Sequence, residues 1–321
     1  MHVAPDLLTP QWMSRCLQRP IASALCRRIG TDRGFAGTVV RVRLDDDAGR
    51  SSTVVAKLGP DPALEAEMGF YRLLAEPLAA PAPRCLYAGS GPDGRPLLLI
   101  EDLRTARAGD ALEGAGADDV HAVLESMKDF WAADGRAPAL TALPRWGSPP
   151  QRRQENFRRN WAAQREALRD ELPEDVFRMA ERLCDSLASV AGALHEAPAH
   201  PVHADLHLDN VLFTDDGPVV LDWGSVCRGA PVVDSFGFIT TSLSPLDQQR
   251  HFTDLVRELG LDATSVANGR RRLLCMLAGV IGWRNRAETD VPRERALRAA
   301  AIGDGRLITA LRLWDAADVL D

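Results

Sequence analysis

The sequence predicts an α+β chain of two lobes, a small antiparallel-sheet lobe over residues 1–103 and a larger helical lobe over residues 104–321. Three observations predict it. The first hundred residues hold short alternating or apolar runs bounded by turn residues, the signature of strands. From Asp118 onward long periodic stretches read as helices with one buried face. The character changes near Leu103, and strands followed by helices, rather than alternating with them, make an α+β arrangement.

The elements follow in order. Thr9-Pro10 reads as an N-cap with proline at the first helical position, opening a short helix to about Leu17. Thr38 to Leu44 carries apolar side chains at Val40, Val42 and Leu44, and Thr53 to Leu58 is a second strand. Asp45-Asp46-Asp47-Ala48-Gly49 between them is a hairpin tip. Ala63 to Ala75 is helical in pattern. Cys85 to Gly89 and Leu97 to Ile100 are strands joined by the turn Gly91-Pro92-Asp93-Gly94. Helices are expected over Asp118 to Ala133, Gln151 to Asp170 and Pro173 to His195, with proline breaks at Pro144 and Pro149-Pro150. The helical pattern resumes after Ser244 and is punctuated by Asp290-Val291-Pro292.

Composition narrows the function. A formal net charge of −7 argues against a nucleic-acid binder, which would show a basic domain or stripe. No window reaches the eighteen or so consecutive apolar residues of a membrane span, and Met1 to Pro10, with Asp6 and no apolar core, is not a signal peptide. Cys16, Cys26, Cys85, Cys184, Cys227 and Cys275 form no Cys-x-x-Cys pair. Scattered thiols fit a reducing cytoplasm better than a disulfide frame or a zinc site.

The chemistry concentrates in Val202-His203-Ala204-Asp205-Leu206-His207-Leu208-Asp209-Asn210 and in Leu221-Asp222-Trp223. An Asp, an Asn five residues later and a second Asp twelve beyond that supply what phosphoryl transfer needs. Asp205 is the candidate catalytic residue, orienting an acceptor hydroxyl and taking its proton late. Asn210 and Asp222 are the candidate Mg²⁺ ligands, since that ion prefers hard oxygen donors. Asp222 ends the apolar run Pro218-Val219-Val220-Leu221, where a carboxylate is costly unless it binds something. His203, Asp205 and His207, at alternate positions, leave a metal-dependent hydrolase open as a rival.

These motifs resemble those of the aminoglycoside phosphotransferase and choline kinase-like superfamily, which shares its catalytic architecture with protein kinases. The resemblance covers roughly residues 30 to 240, most specifically in its C-terminal half. It implies a bilobal protein-kinase-like fold, ATP or GTP as phosphoryl donor, and Mg²⁺. By the same resemblance Lys57, ending Val54-Val55-Ala56-Lys57, holds the α- and β-phosphates. Glu67 is its ion-pair partner, with Glu65 as the alternative. Gly34 and Gly37, in Arg33-Gly34-Phe35-Ala36-Gly37-Thr38, occupy the place of the phosphate-covering loop, although the segment is not Gly-x-Gly-x-x-Gly. The Glu101 carbonyl and the Leu103 N–H correspond to the hinge that meets the nucleotide base. Asp234 matches an Asp that braces the catalytic loop, and Trp223-Gly224 stands where protein kinases have Phe-Gly.

The resemblance implies a hydroxylated small molecule as acceptor, with antibiotic inactivation as the leading context and a metabolite kinase for sugars or amino alcohols as the rival. A non-catalytic pseudokinase is disfavoured by the intact Lys57, Asp205, Asn210 and Asp222. Ser242 to Asp321 holds about twelve arginines against about eleven acidic residues, and Gln151 to Asp170 is arginine-rich, which weakens a polycationic acceptor. The partners expected are therefore a nucleotide and a neutral or mildly anionic hydroxylated molecule, with no nucleic acid and no membrane, acting on a monomer or homodimer. Trp161, Trp223 and Trp283 are more readily core residues than a stacking platform for a substrate ring.

Overall fold

A computed structural model describes residues 7–29, 38–133, 138–284 and 305–320. The chain divides into two compact units: Met1–Arg107 with Leu212–Val226, and Ala108–Val211 with Cys227–Asp321. The sequence places one boundary near Leu103. The return of Leu212–Val226 to the first unit carries no compositional mark.

In the first unit, α1 (Pro10–Leu17) begins as its N-cap predicts, with Thr9 Oγ1 accepting the Trp12 N–H at 3.3 Å. Five antiparallel strands follow: β1 (Ser23–Arg28), β2 (Thr38–Asp45), β3 (Ser51–Leu58), β4 (Cys85–Ser90) and β5 (Pro96–Glu101), in spatial order β1-β2-β3-β5-β4. Strand β1 is absent from the sequence prediction because Ser-Ala-Leu-Cys-Arg-Arg has no alternation. It is an edge strand with Leu25 exposed. Alternation elsewhere sets the faces. Val40, Val42, Leu44, Val54, Ala56, Leu58, Leu97 and Leu99 bury one face together with Trp12 and Met13 of α1. Lys57 lies between Ala56 and Leu58, so the pleat turns it to the opposite face. Helix α2 (Pro62–Leu73), capped by Asp61 accepting the Ala63 N–H at 2.8 Å, follows β3 directly.

After β6 (Arg107–Ala108), the second unit holds α3 (Ala117–Ala132), a short α4 (Pro138–Thr141), α5 (Pro150–Glu171), α6 (Glu174–Glu196) and β7 (His200–Val202). The hairpin β8 (Val211–Thr214) and β9 (Gly217–Val220) leads back into the first unit. The second unit resumes with β10 (Cys227–Gly229), which pairs antiparallel with β7, and then α7 (Val232–Ser242), α8 (Pro245–Glu258), α9 (Ala263–Arg284) and α10 (Arg306–Leu313). Helix α7 is buried nearly all round, which is why it shows no polar face in the sequence. The punctuation at Asp290-Val291-Pro292 and the Trp283 side chain lie outside the described residues. Among the described residues, no helix is long and apolar enough to cross a membrane.

The arginines of α5 tie it to its neighbour. Arg158 pairs with Asp185 at 2.8 Å, Arg165 with Glu181 at 2.6 Å, and the Arg169 guanidinium lies 4.7 Å over Phe177, all on α6. Trp161 packs with Phe157 and Phe177 in the same core.

Arg312 of α10 grips Asp175 of α6 with two bonds of 2.7 Å, and these hydrogen bonds hold the Asp175 carboxyl below its usual range. A depressed carboxyl contributes stability above its unfolded pKa and loses it as pH falls through the folded one. Both side chains are about half exposed. Discounted for screening, Arg312→Ala should therefore cost at most about 0.5 kcal/mol at neutral pH. In denaturant titrations the gap to the parent should close in acid; a gap that persists there would rule the ion pair out as its source.

Candidate active site

In the first unit a lysine sits between two carboxylates. Lys57 Nζ lies 2.9 Å from both oxygens of Glu67 and also contacts Asp222 Oδ1. The helix period selects Glu67: it is 4% exposed on the face that buries Leu64, Met68 and Tyr71, whereas Glu65 points to solvent. Burial would lower the Lys57 pKa, but the Asp222 and Glu67 charges outweigh it and hold the ammonium above its usual value. Burial pushes the Glu67 carboxyl up, Lys57 pulls it back, and the charge of Asp222 adds to the rise. Two carboxylates thus meet at the Lys57 ammonium.

Asp222 adopts a left-handed conformation, φ 59, ahead of the 3-10 turn Trp223–Ser225. Trp223 is fully buried, stacks on Phe70 of α2 at 4.3 Å and 2°, and donates its indole N–H to the Val220 carbonyl at 2.8 Å. It anchors the turn as a core residue. At the end of β5 the Glu101 N–H donates to the Arg84 carbonyl at 3.0 Å, and its carboxylate accepts the Arg84 N–H at 2.6 Å. Asp102 pairs with Arg41 of β2 through contacts of 2.8 and 3.0 Å, and the Leu103 carbonyl accepts from Ala106 at 3.0 Å. Gly34 and Gly37 lie outside the described residues.

In the second unit Asp205 stands on a loop after β7, its side chain 50% exposed and 3.7 Å from His207 Nε2. Asp234 on α7 braces this loop. It is 2% exposed and accepts the N–H groups of His203 at 2.7 Å and Ala204 at 2.8 Å, and the Trp131 indole N–H at 3.0 Å. Burial drives the Asp234 pKa up against the pull of His203 and these donors. Ala204 has φ 67, a conformation costly for an L-residue, and it is pinned there by its bond to Asp234. Asn210 uses Nδ2 for the Asp205 carbonyl at 3.0 Å and the His207 ring at 3.3 Å, so its carbonyl oxygen remains as the hard donor. Asn210 and Asp222 thus each offer oxygen chemistry that suits Mg²⁺. His203 is fully buried and its Nδ1 accepts the Asp205 N–H at 3.3 Å, a structural use that argues against a His203–Asp205–His207 metal triad. Among the described residues, no group of three His, Cys, Asp or Glu side chains is placed to hold a metal ion.

With this geometry in view, residues 30–273 match the phosphotransferase enzyme family. The chain belongs to that family. Solved structures share its fold: an aminoglycoside phosphotransferase from Alicyclobacillus acidocaldarius subsp. acidocaldarius DSM 446 (TM-score 0.59, 14% identity, 98% of this chain and 97% of that one). The AMP-bound spectinomycin phosphotransferase APH(9)-Ia is similar (0.60, 13%, 94% and 98%), as is a choline/ethanolamine kinase family protein from Mesorhizobium loti (0.55, 14%, 90% and 92%). At these identities the likeness is one of fold. No curated protein matches the chain.

Sequence reasoning about this phosphotransferase missed several supporting residues. Trp131 was one apolar position among many on α3, and Asp209 one of several loop carboxylates. Gly224 carried a signal only in its place after Trp223: a Cβ there would stand 2.7 Å from the Ala63 carbonyl oxygen, so α2 approaches the turn where only glycine fits. Gly224→Ala should force α2 away, costing about 1–3 kcal/mol as overpacking, and should weaken nucleotide binding by disturbing the Lys57–Glu67 pair. Unchanged unfolding midpoint and nucleotide KM would show that the turn yields instead.

Proposed function

We propose that this small-molecule kinase transfers the γ-phosphate of ATP or GTP to a hydroxyl of an antibiotic. The reading is carried by Lys57, an ammonium gripped by Glu67 and Asp222, the group that would meet the donor's phosphates. In the reaction the acceptor oxygen attacks the γ-phosphorus, the bond to the β-phosphate oxygen breaks, and the hydroxyl proton passes to Asp205. The exposed Asp205 carboxylate orients the hydroxyl, while Asp234 keeps its loop from moving. Main-chain groups at Glu101 and Leu103 would receive the base, and Gly34 and Gly37 would belong to the loop over the phosphates. Asn210 and Asp222 would hold Mg²⁺, which supplies charge neutralisation on the phosphate oxygens.

The antibiotic reading draws support from the aminoglycoside and spectinomycin phosphotransferases among the similar folds. The choline/ethanolamine kinase family protein supports a second reading, a metabolite kinase acting on an amino alcohol or sugar. A coupled assay of nucleoside-diphosphate release, with Mg²⁺ and with ATP and GTP tested separately, decides between them over a panel of antibiotics, amino alcohols and sugars. Release stimulated by an antibiotic supports the first reading; stimulation by metabolites alone replaces it with the second. No stimulation by any acceptor would count against both.

A further inference from the structure

The loop that carries Asp205 is also held by contacts that the proposed reaction does not use. Asp209 Oδ1, one residue before Asn210, accepts the Ala111 N–H at 3.1 Å, and the Gly109 N–H donates to the Val211 carbonyl at 2.9 Å. A Cβ on Gly109 would stand 2.3 Å from the Leu208 carbonyl oxygen, so the two backbones are in direct contact. Residues 110–115 form a tight turn. Asp110 Oδ1 accepts the N–H groups of Leu112 at 2.9 Å and Glu113 at 3.3 Å, and the Gly114 N–H closes on the Asp110 carbonyl at 2.9 Å with φ 84.

The carbonyls of that turn are bound by Arg306 at the start of α10. Arg306 is 7% exposed; Nη1 donates to Ala111 at 2.8 Å and Thr241 at 2.7 Å, and Nη2 to Leu112 at 2.9 Å. Burying a guanidinium is costly, but an apolar side chain here would take these donors from the Ala111, Leu112 and Thr241 carbonyls. What arginine adds is a rigid fork that binds two segments at once. We propose that Arg306 is a positioning residue for the catalytic loop. By fixing the Ala111 and Leu112 carbonyls it aims the Ala111 N–H at Asp209, and so holds the Leu208–Asn210 turn where Asn210 can present its carbonyl oxygen to the metal. The metal arm rests on the reading of Asn210 as a Mg²⁺ ligand; the loop arm does not.

The test combines amide hydrogen exchange and steady-state kinetics on the full chain for Arg306→Met, Arg306→Lys, Asp209→Ala and the double variant Arg306→Met/Asp209→Ala. Arg312→Ala, on the same helix, is the control. In Arg306→Met and in Asp209→Ala, the Ala111 and Asn210 amides should exchange about tenfold faster, and the Mg²⁺ concentration for half-maximal rate should rise about 10–100-fold, the usual effect of losing an outer support of a metal ligand. Amides of α6 and the nucleotide KM should move little. Arg306→Lys should recover part of both effects, and the double variant should be no worse than the worse single one, because both cut one route. The control should leave the Ala111 and Asn210 amides and the Mg²⁺ dependence as in the parent.

Unchanged exchange at Ala111 and Asn210 in folded Arg306→Met overturns the proposal, as does an additive double variant or a loss of protection spread evenly into α6. Should Arg306→Met fail to fold, Arg306→Lys decides by the same two readouts, and its failure to move either of them overturns the proposal. A parent chain inactive with every acceptor would sink the phosphotransfer reading, and the exchange data would still judge Arg306.

Discussion

Asp205→Asn should lower kcat by roughly 10²–10⁴-fold, the usual contribution of a positioned proton acceptor, while nucleotide KM and thermal stability stay near those of the parent. Asparagine keeps the shape and one acceptor oxygen, so the loop has no reason to collapse. It cannot take the hydroxyl proton. The side chain is half exposed, where solvent screening keeps charge interactions weak, so little stability is at stake. The measurement is acceptor-dependent diphosphate release beside nucleotide binding by calorimetry. Full activity in the variant would remove Asp205 from the mechanism; a loss confined to KM would make it a binding residue.

The largest effect on stability is expected from Asp234→Ala. It removes the acceptor of three donors at once: the Trp131 indole and the main-chain N–H groups of His203 and Ala204. Each buried donor left without a partner costs about 1–3 kcal/mol, and with partial relaxation the sum should reach roughly 3–5 kcal/mol, at the severe end for a point substitution. Activity should fall further than stability predicts. Ala204, at φ 67, relaxes once its N–H is released, and Asp205 moves with it. Differential scanning calorimetry with kcat measured well below the midpoint separates the two effects. A variant with normal kcat at low temperature would show that Asp234 stabilises the fold without aiming the loop.

Much of this was legible in the sequence because local rules governed it. Strand alternation placed Val40, Val42 and Leu44 inside, and the Thr9-Pro10 cap set the start of α1. Glu67 rather than Glu65 lies on the face of α2 turned inward, a choice implied by the family resemblance and not by local pattern. The illegible features are those where tertiary contact overrides local pattern. Helix α7 has no polar face because it is enclosed, and β1 forms because β2 offers it an edge. The α5 arginines read only as a basic stretch, although α6 supplies carboxylates and Phe177 to meet them. The supports of the Asp205 loop were hidden for the same reason. Trp131 and Ala111 are distant in sequence from the groups they bind.

The return of Leu212–Val226 to the N-terminal unit bears on how the chain is made. The contacts of Val220 with Pro81, Phe70 with Trp223 and Lys57 with Asp222 join the ends of a long excursion through the other unit. On the ribosome the sheet can pair as soon as β5 emerges, but Phe70 keeps one aromatic face without its partner and Lys57 lacks its second carboxylate until Val226 has cleared the exit tunnel. The first unit to begin folding is therefore completed only after most of the second has been synthesised, and a fragment ending at Arg107 would carry a permanently unfinished core.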